Sequence, residues 1–255
     1  MSPRQTAQTL FLDFDGVVAD SLEESLLVSW YGADRSPWSR SDTPEALVAR
    51  VPEDYRVHFE KVRNYARTLE EFLVPALKDV VAPKSQAEFE ELFDAIAPAE
   101  RAEFVRQAQE FRDFLRSEHL EAWGQMHEVY PEVPDLVRRF AGNVHIVTAK
   151  DDVSARVALR LNHLDTAIAT ITGGAADKPR VIRAILAETG RSADQAVFVD
   201  DNITNVAMAQ DAGLRAFWAT WGWQQSQEHH DQAQSRGLAP LRLADLSGLQ
   251  KATAA

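Results

Sequence analysis

From Tyr130 onward the chain alternates short apolar runs with helical spacings, and that alternation restricts the fold more than any other feature. Residues 144–148, 167–171, 196–199 and 216–219 read as strands, with helical patterns over 134–140, 153–161, 178–187 and 203–212 and glycine stops at Gly190 and Gly213. A strand covered on both faces must be apolar without interruption, so short continuous runs separated by helices mark a parallel sheet. Leu10, Phe11 and Leu12 form one more run of this kind near the start of the chain. The expected class is α/β, a parallel sheet with helices on both faces, in which ligands bind at the carboxyl ends of the strands.

Polar residues stand at those ends. Asp13 and Asp15 directly follow the first run, and a spacing of two puts both side chains on one side of an extended backbone. Crowded carboxylates beside a buried strand cost desolvation and repulsion, so they call for a cation or a shared proton. Gly16 then permits a sharp turn and close approach to the backbone. Thr148 closes the second run, Lys178 opens the helix after the third, and Asp200 and Asp201 close the fourth. Taken alone, Thr148 reads as an ordinary β-branched strand residue, and a lysine before a helix is common on surfaces. Pro179 sharpens Lys178, because proline suits the first helical position and keeps the residue before it extended.

Residues 22–126 are different in character, with helical patterns separated by prolines. Tyr55, Phe59, Val62, Tyr65, Leu69 and Phe72 recur at three- and four-residue steps and predict one long amphipathic helix ending near Pro75. Phe89 to Ile96 and Phe104 to Leu115 repeat the pattern on either side of Pro98. Trp30, Arg35, Trp38 and Arg40 fall in a stretch without a clean period. Arginines beside aromatic rings are candidates for substrate selection, although such clusters more often pack a helical module together. Late in the chain, residues 224–236 read as a polar surface loop in which His229 and His230 lack a ligand framework, 241–243 as an edge strand, and the tail after Leu249 as frayed.

Composition excludes several partners. The 255 residues suffice for a full core, the 45% apolar content is ordinary, and no run approaches the length that spans a bilayer. The polar N-terminus is unlike a signal peptide and cysteine is absent, so the expected location is the cytoplasm. A formal charge of -12 disfavours nucleic acid and anionic membranes, and it requires any phosphate site to be made attractive locally by a metal or a lysine.

The strings FLDFDGVVADS, IVTAK, ADKP and FVDDNITNV, in that order, resemble the motifs of the haloacid dehalogenase superfamily, and within it the phosphoglycolate phosphatase-like and β-phosphoglucomutase-like branch. The resemblance implies a Rossmann-like core formed by residues 1–21 and 127–255, with 22–126 inserted as an all-helical cap of the C1 type. It further implies a Mg²⁺-dependent phosphatase acting on a small phosphate ester. Asp13 would be the nucleophile and Asp15 the acid and base. Mg²⁺ would be held by Asp13, the backbone carbonyl of Asp15, and Asp201, with Thr148 and Lys178 on the phosphoryl group. Much of the family has Gly before the metal-binding Asp and a second Asp four residues later; this chain has Asp200 and then Asn205, which are expected in support of Asp201. A sugar phosphomutase and a non-catalytic binding module of the same fold are the alternatives. The first is weakened by Ser25, near which mutases tend to carry a cap histidine, and the second by the complete catalytic set. The substrate and the oligomeric state stay open.

Overall fold

The computed structural model describes residues 5–7, 9–77 and 80–251. The chain divides into two compact units, Met1–Asp20 with Glu128–Ala255, and Ser21–His127.

The first unit holds ten short strands and five α-helices among the described residues. Its strands are β1 (Gln5–Ala7), β2 (Thr9–Leu12), β3 (Ala19–Asp20), β4 (Glu128–Val129), β5 (Val144–Val147), β6 (Ile168–Thr172), β7 (Ala196–Asp200), β8 (Ala216–Ala219), β9 (Ala239–Leu241) and β10 (Leu249–Lys251). Six of them form one sheet in the order β6-β5-β2-β7-β8-β9, and every pairing in it is parallel. The chain builds outward from β2 to one side, then returns to build the other side. The reversal point lies at β2 between β5 and β7, where an open α/β sheet leaves a crevice for ligand.

Burial explains why these segments are strands. Phe11, Val147, Phe198 and Trp218 face one apolar cluster, together with Ile182, Ile185 and Leu186 of α9 (Lys178–Glu188) and Val206 and Ala209 of α10 (Ile203–Asp211). Leu10, Leu12, Ile146, Val197 and Val199 point the other way and are equally buried, so the sheet is covered on both faces. The helices α7 (Val133–Arg139) and α8 (Asp152–Leu161) complete the alternation.

Two departures from the sequence reading fall in this unit or at its end. Residues 224–236 are no loop: α11 (Gln227–Ser235) runs through them, capped by the Ser226 side chain on the His229 N–H and anchored by buried His229 and Ala233. The edge strand sits slightly earlier than expected, at β9, where it pairs with β8. The expected fraying concerns residues that lie outside the described ones from 252 onward, whereas β10 pairs in parallel with β1.

The second unit is helical: α1 (Leu22–Gly32), α2 (Pro44–Arg50), α3 (Glu53–Arg63), α4 (Gln86–Asp94), α5 (Pro98–Glu118) and α6 (Leu120–Gln125). The long helix expected through Phe72 is broken after Arg63, and Glu70–Ala76 forms a separate 3₁₀ helix with Pro75 inside it. The Glu71 carboxylate accepts from the N–H groups of Arg67 and Thr68, which gives those groups a local partner in place of a helical carbonyl. Tyr55, Phe59, Val62, Tyr65 and Phe72 are all buried nonetheless, so the spacing identified the apolar face correctly while the backbone path differs.

Candidate active site

Each strand end beside the reversal point delivers polar groups. Asp13 leaves β2 with its N–H still donating to Val199 O at 3.0 Å, so the sheet ladder itself fixes where the carboxylate starts. Its Oδ1 accepts from the Phe14 N–H at 2.7 Å, and its Oδ2 lies 2.7 Å from Lys178 Nζ. The chain then folds into a tight loop in which Val18 N–H donates to Phe14 O and Gly16 N–H to Ala19 O. Gly16 adopts φ 79°, and a Cβ there would meet Asp201 Oδ2 at 2.4 Å, so both conformation and space demand glycine.

Lys178 is buried and lies 2.7 Å from the Oδ2 atoms of both Asp13 and Asp200. It stands at the first residue of α9, where the Asp177 side chain caps the helix by accepting from Arg180 N–H and Pro179 sets the entry. Asp200, with no exposure, is fully engaged: Oδ2 accepts from Lys178, Oδ1 accepts from Asn202 N–H at 2.8 Å, and the Asn205 amide donates to both oxygens. Asn205 thus serves the carboxylate next to Asp201.

Burial pushes the Asp13 carboxyl up to about 6, because the pull of Lys178 only partly offsets desolvation and Asp200 and Asp15 add repulsion. Lys178 is affected oppositely. Burial works against its charge, but Asp13 and Asp200 together outweigh that cost and hold the ammonium protonated.

Asp201 is placed by a loop that sequence reasoning missed. Trp223 N–H donates to Asp201 Oδ2 at 2.7 Å, and Trp218 Nε1 donates to the Asp201 carbonyl at 3.0 Å. Gly222 touches the same carboxylate so closely that a Cβ would fall 2.2 Å from Asp201 Cβ and 2.6 Å from its Oδ2. Gln224 Oε1 accepts from Ile203 N–H at 2.6 Å, tying this loop to the start of α10. The signal was available, since residues 220–224 follow β8 just as the other site residues follow their strands, but glycine and tryptophan bring no charge to draw attention.

Lys150 is the second omission. Its side chain is 1% exposed and its Nζ lies 3.2 Å from Asp15 Oδ1, so each of the first two aspartates has its own lysine. The Lys150 N–H donates to Thr148 Oγ1 at 3.2 Å, which leaves the Thr148 hydroxyl hydrogen to donate elsewhere.

Asp13, Asp200 and Asp201 each offer a carboxylate oxygen, and these oxygens lie within 4.8 Å of one another. Such a set fits a hard divalent cation: the donors are all oxygen, and Lys178 alone does not neutralise three buried carboxylates. The Asp15 side chain does not belong to this group, and the ligand expected from that residue is its backbone carbonyl.

The four residues of the aromatic and arginine stretch are engaged within the helical unit. Trp30 lies 4.6 Å from the Tyr55 ring, Trp38 stacks on Phe114 at 4.8 Å and meets Phe111 edge-on at 5.2 Å. Arg35 donates to the Ala76 carbonyl, and Arg40 pairs with Glu118 at 3.2 Å on the surface. Outside the site, His229 bonds Ser226 Oγ through Nδ1 at 2.8 Å and His230 lies edge-on to Trp218.

Carboxylates and a buried lysine are thus gathered at the reversal point of a parallel sheet, where such sheets bind ligands. The family comparison makes this specific: residues 7–213 match the model of the haloacid dehalogenase-like hydrolases, and the chain belongs to that family. Among solved structures, a predicted phosphatase from Clostridium acetobutylicum is similar over 96% of this chain and 97% of its own, with TM-score 0.64 and 16% identity. A predicted phosphoglycolate phosphatase from Haemophilus somnus covers 97% and 98% with TM-score 0.62 and 16% identity. A haloacid dehalogenase-like family protein from Streptococcus pneumoniae covers 92% and 93% with TM-score 0.56 and 16% identity. At these identities the likeness concerns the fold. No curated protein matches the chain in sequence. Among the described residues, no helix is long and apolar enough to cross a membrane.

Proposed function

We propose that this hydrolase is a phosphatase that cleaves a small phosphorylated metabolite through a phosphoryl group carried on Asp13. The observation that carries the reading is the buried Asp13 carboxylate, held against Lys178 at 2.7 Å beside Asp200 and Asp201 at the reversal point of the sheet. A buried carboxylate paired in this way is fixed in orientation and desolvated, which suits a nucleophile.

In the first half, an Asp13 oxygen forms a bond to phosphorus while the bond from phosphorus to the ester oxygen breaks. The Asp15 carboxyl gives its proton to that leaving oxygen and becomes a carboxylate. In the second half, Asp15 takes a proton from water as the water oxygen attacks phosphorus. The bond to Asp13 breaks, and inorganic phosphate leaves with both aspartates restored. The Thr148 hydroxyl donates to a phosphoryl oxygen, and Lys178 offsets the charge between that group and Asp13.

Asp13, Asp201 and the Asp15 carbonyl would hold Mg²⁺, with Asp200 and Asn205 in support. Bound there, the cation would neutralise the phosphate charge and the carboxylate excess. On this reading the helical unit is the family's cap and governs substrate choice.

The test is hydrolysis of p-nitrophenyl phosphate with and without Mg²⁺. The wild type turns over only with the metal, and Asp13→Asn lowers kcat on the order of 10⁴-fold or more. Metal-independent turnover, or undiminished activity in Asp13→Asn, rejects the reading.

A further inference from the structure

The phosphatase reading gives Lys178 a task and leaves Lys150 without one. Yet the Lys150 side chain is only 1% exposed, and a buried ammonium persists only where something holds it charged or useful.

Its position is fixed from several sides. The backbone N–H donates to Thr148 Oγ1 at 3.2 Å, and its carbonyl accepts from Gly174 N–H at 3.0 Å. The ammonium lies 5.9 Å from the centroid of the Phe14 ring, in the segment between the two aspartates. From there it reaches Asp15 Oδ1 at 3.2 Å. An ammonium only donates hydrogen bonds, so the carboxyl oxygen against it serves as acceptor. When Asp15 is in its acid form, the proton therefore sits on the other oxygen.

We propose that Lys150 is a positioning residue for Asp15: by holding Oδ1 it fixes the rotation of the carboxyl, so that the opposite oxygen is the one that exchanges the proton with the leaving group. This rests on the phosphatase reading. No proton passes through Lys150. The O–H bond of Asp15 breaks as the O–H bond of the released alcohol forms, and Lys150 stays an ammonium throughout. Without it this hold on Oδ1 is lost, and the proton is delivered from a wider distribution of angles.

Leaving groups separate this role from a merely structural one. Nitrophenolate departs without a proton, whereas the more basic phenolate needs one, and the two esters have nearly the same shape. kcat/KM reports the steps up to transfer onto Asp13, where the acid acts. With Mg²⁺ present, Lys150→Met is expected to lower kcat/KM for phenyl phosphate about 100-fold and for p-nitrophenyl phosphate less than about 5-fold. In an Asp15→Asn background, with phenol release from phenyl phosphate followed in single turnover, Lys150→Met is expected to add no further loss.

Equal losses on the two esters overturn the inference, and so does a loss that persists in full without Asp15, which would mean that Lys150 touches the substrate itself. Should Lys150→Met fail to melt cooperatively, Lys150→Arg carries the same comparison, since it keeps the charge and shifts the donor. It is expected to show the same selectivity for the phenyl ester at smaller size, and an equal loss on both esters overturns the inference there too. A wild type inactive on both esters overturns the phosphatase reading and this inference with it. With an active wild type, equal losses count against the role of Lys150 and leave the phosphatase reading standing.

Discussion

Both units of this protein bury charge, and they do it in different ways. In the helical unit, Glu24 of α1 and Arg112 of α5 meet at 2.5 Å with almost no exposure, an anion against a cation. Around them the polar groups also close locally, as where Ser29 Oγ joins the Tyr55 hydroxyl at 2.6 Å and donates to the Phe72 carbonyl. At the strand ends of the core, four carboxylates, Asp13, Asp15, Asp200 and Asp201, gather with two ammonium groups, Lys150 against Asp15 and Lys178 against Asp13 and Asp200. A buried pair of opposite charges organises packing. A buried excess costs stability and persists where a ligand completes it, which is the physical content of calling the second region a site.

The largest effect should come from breaking the buried pair. Arg112→Met takes the guanidinium away from the buried Glu24 carboxylate and is expected to cost about 3–5 kcal/mol in urea unfolding. Replacing both, Glu24→Leu with Arg112→Met, should recover most of that loss. A double variant as unstable as the single one would break the comparison, because the pair would then matter for more than mutual neutralisation.

Next comes the loop that shapes the open site. Gly222→Ala drives a methyl into Asp201 and should weaken Mg²⁺ binding about 10- to 100-fold, read by calorimetric titration. Unchanged affinity would remove the 220–224 loop from the proposed metal site.

A smaller and opposite effect tests the excess itself. Asp201→Asn removes one carboxylate, and its amide oxygen can still accept from Trp223 N–H. The metal-free protein should gain about 1 kcal/mol, a rise of a few degrees in Tm, while losing the further rise that Mg²⁺ produces in the wild type. A fall in metal-free stability would show that the cluster is satisfied without a cation.

A further effect lies in the core, away from the carboxylates. His145 stacks on Phe11 and bonds Thr170 Oγ1 through Nδ1 at 2.7 Å, and burial with the nearby Arg191 charge lowers its pKa to about 4. An unfolded histidine titrates near 6.5, so between the two values the unfolded chain binds more protons. Stability is therefore present above about pH 6.5 and falls as the pH drops toward 4. Burial also lowers His229 to about 4, with the same sign. In His145→Leu the decline in urea midpoint across this window should be shallower than in the wild type, and an unaltered slope would reassign the pH dependence to other groups.

Much of this arrangement was legible from local pattern. Largely apolar runs identified the sheet strands because a strand covered on both faces leaves little room for polar side chains, and Asp13, Thr148, Lys178, Asp200 and Asp201 could be picked out because each directly follows such a run or opens the helix after it. The periodicity of Tyr55 to Phe72 gave the buried face but not the break after Arg63, since a helix and a 3₁₀ turn in succession can present the same spacing. The helix at Gln227–Ser235 escaped because only His229 and Ala233 are buried in it, too thin a stripe to read in a polar stretch. What the tertiary structure alone decided is pairing. Lys150 meets Asp15 across 135 positions, and Gly222 meets Asp201 because the parallel order brings the ends of β7 and β8 side by side. Local spacing carries no information about which distant segment supplies the counter-charge or the empty space, because those depend on strand order, and strand order is set by how the whole sheet buries its two faces.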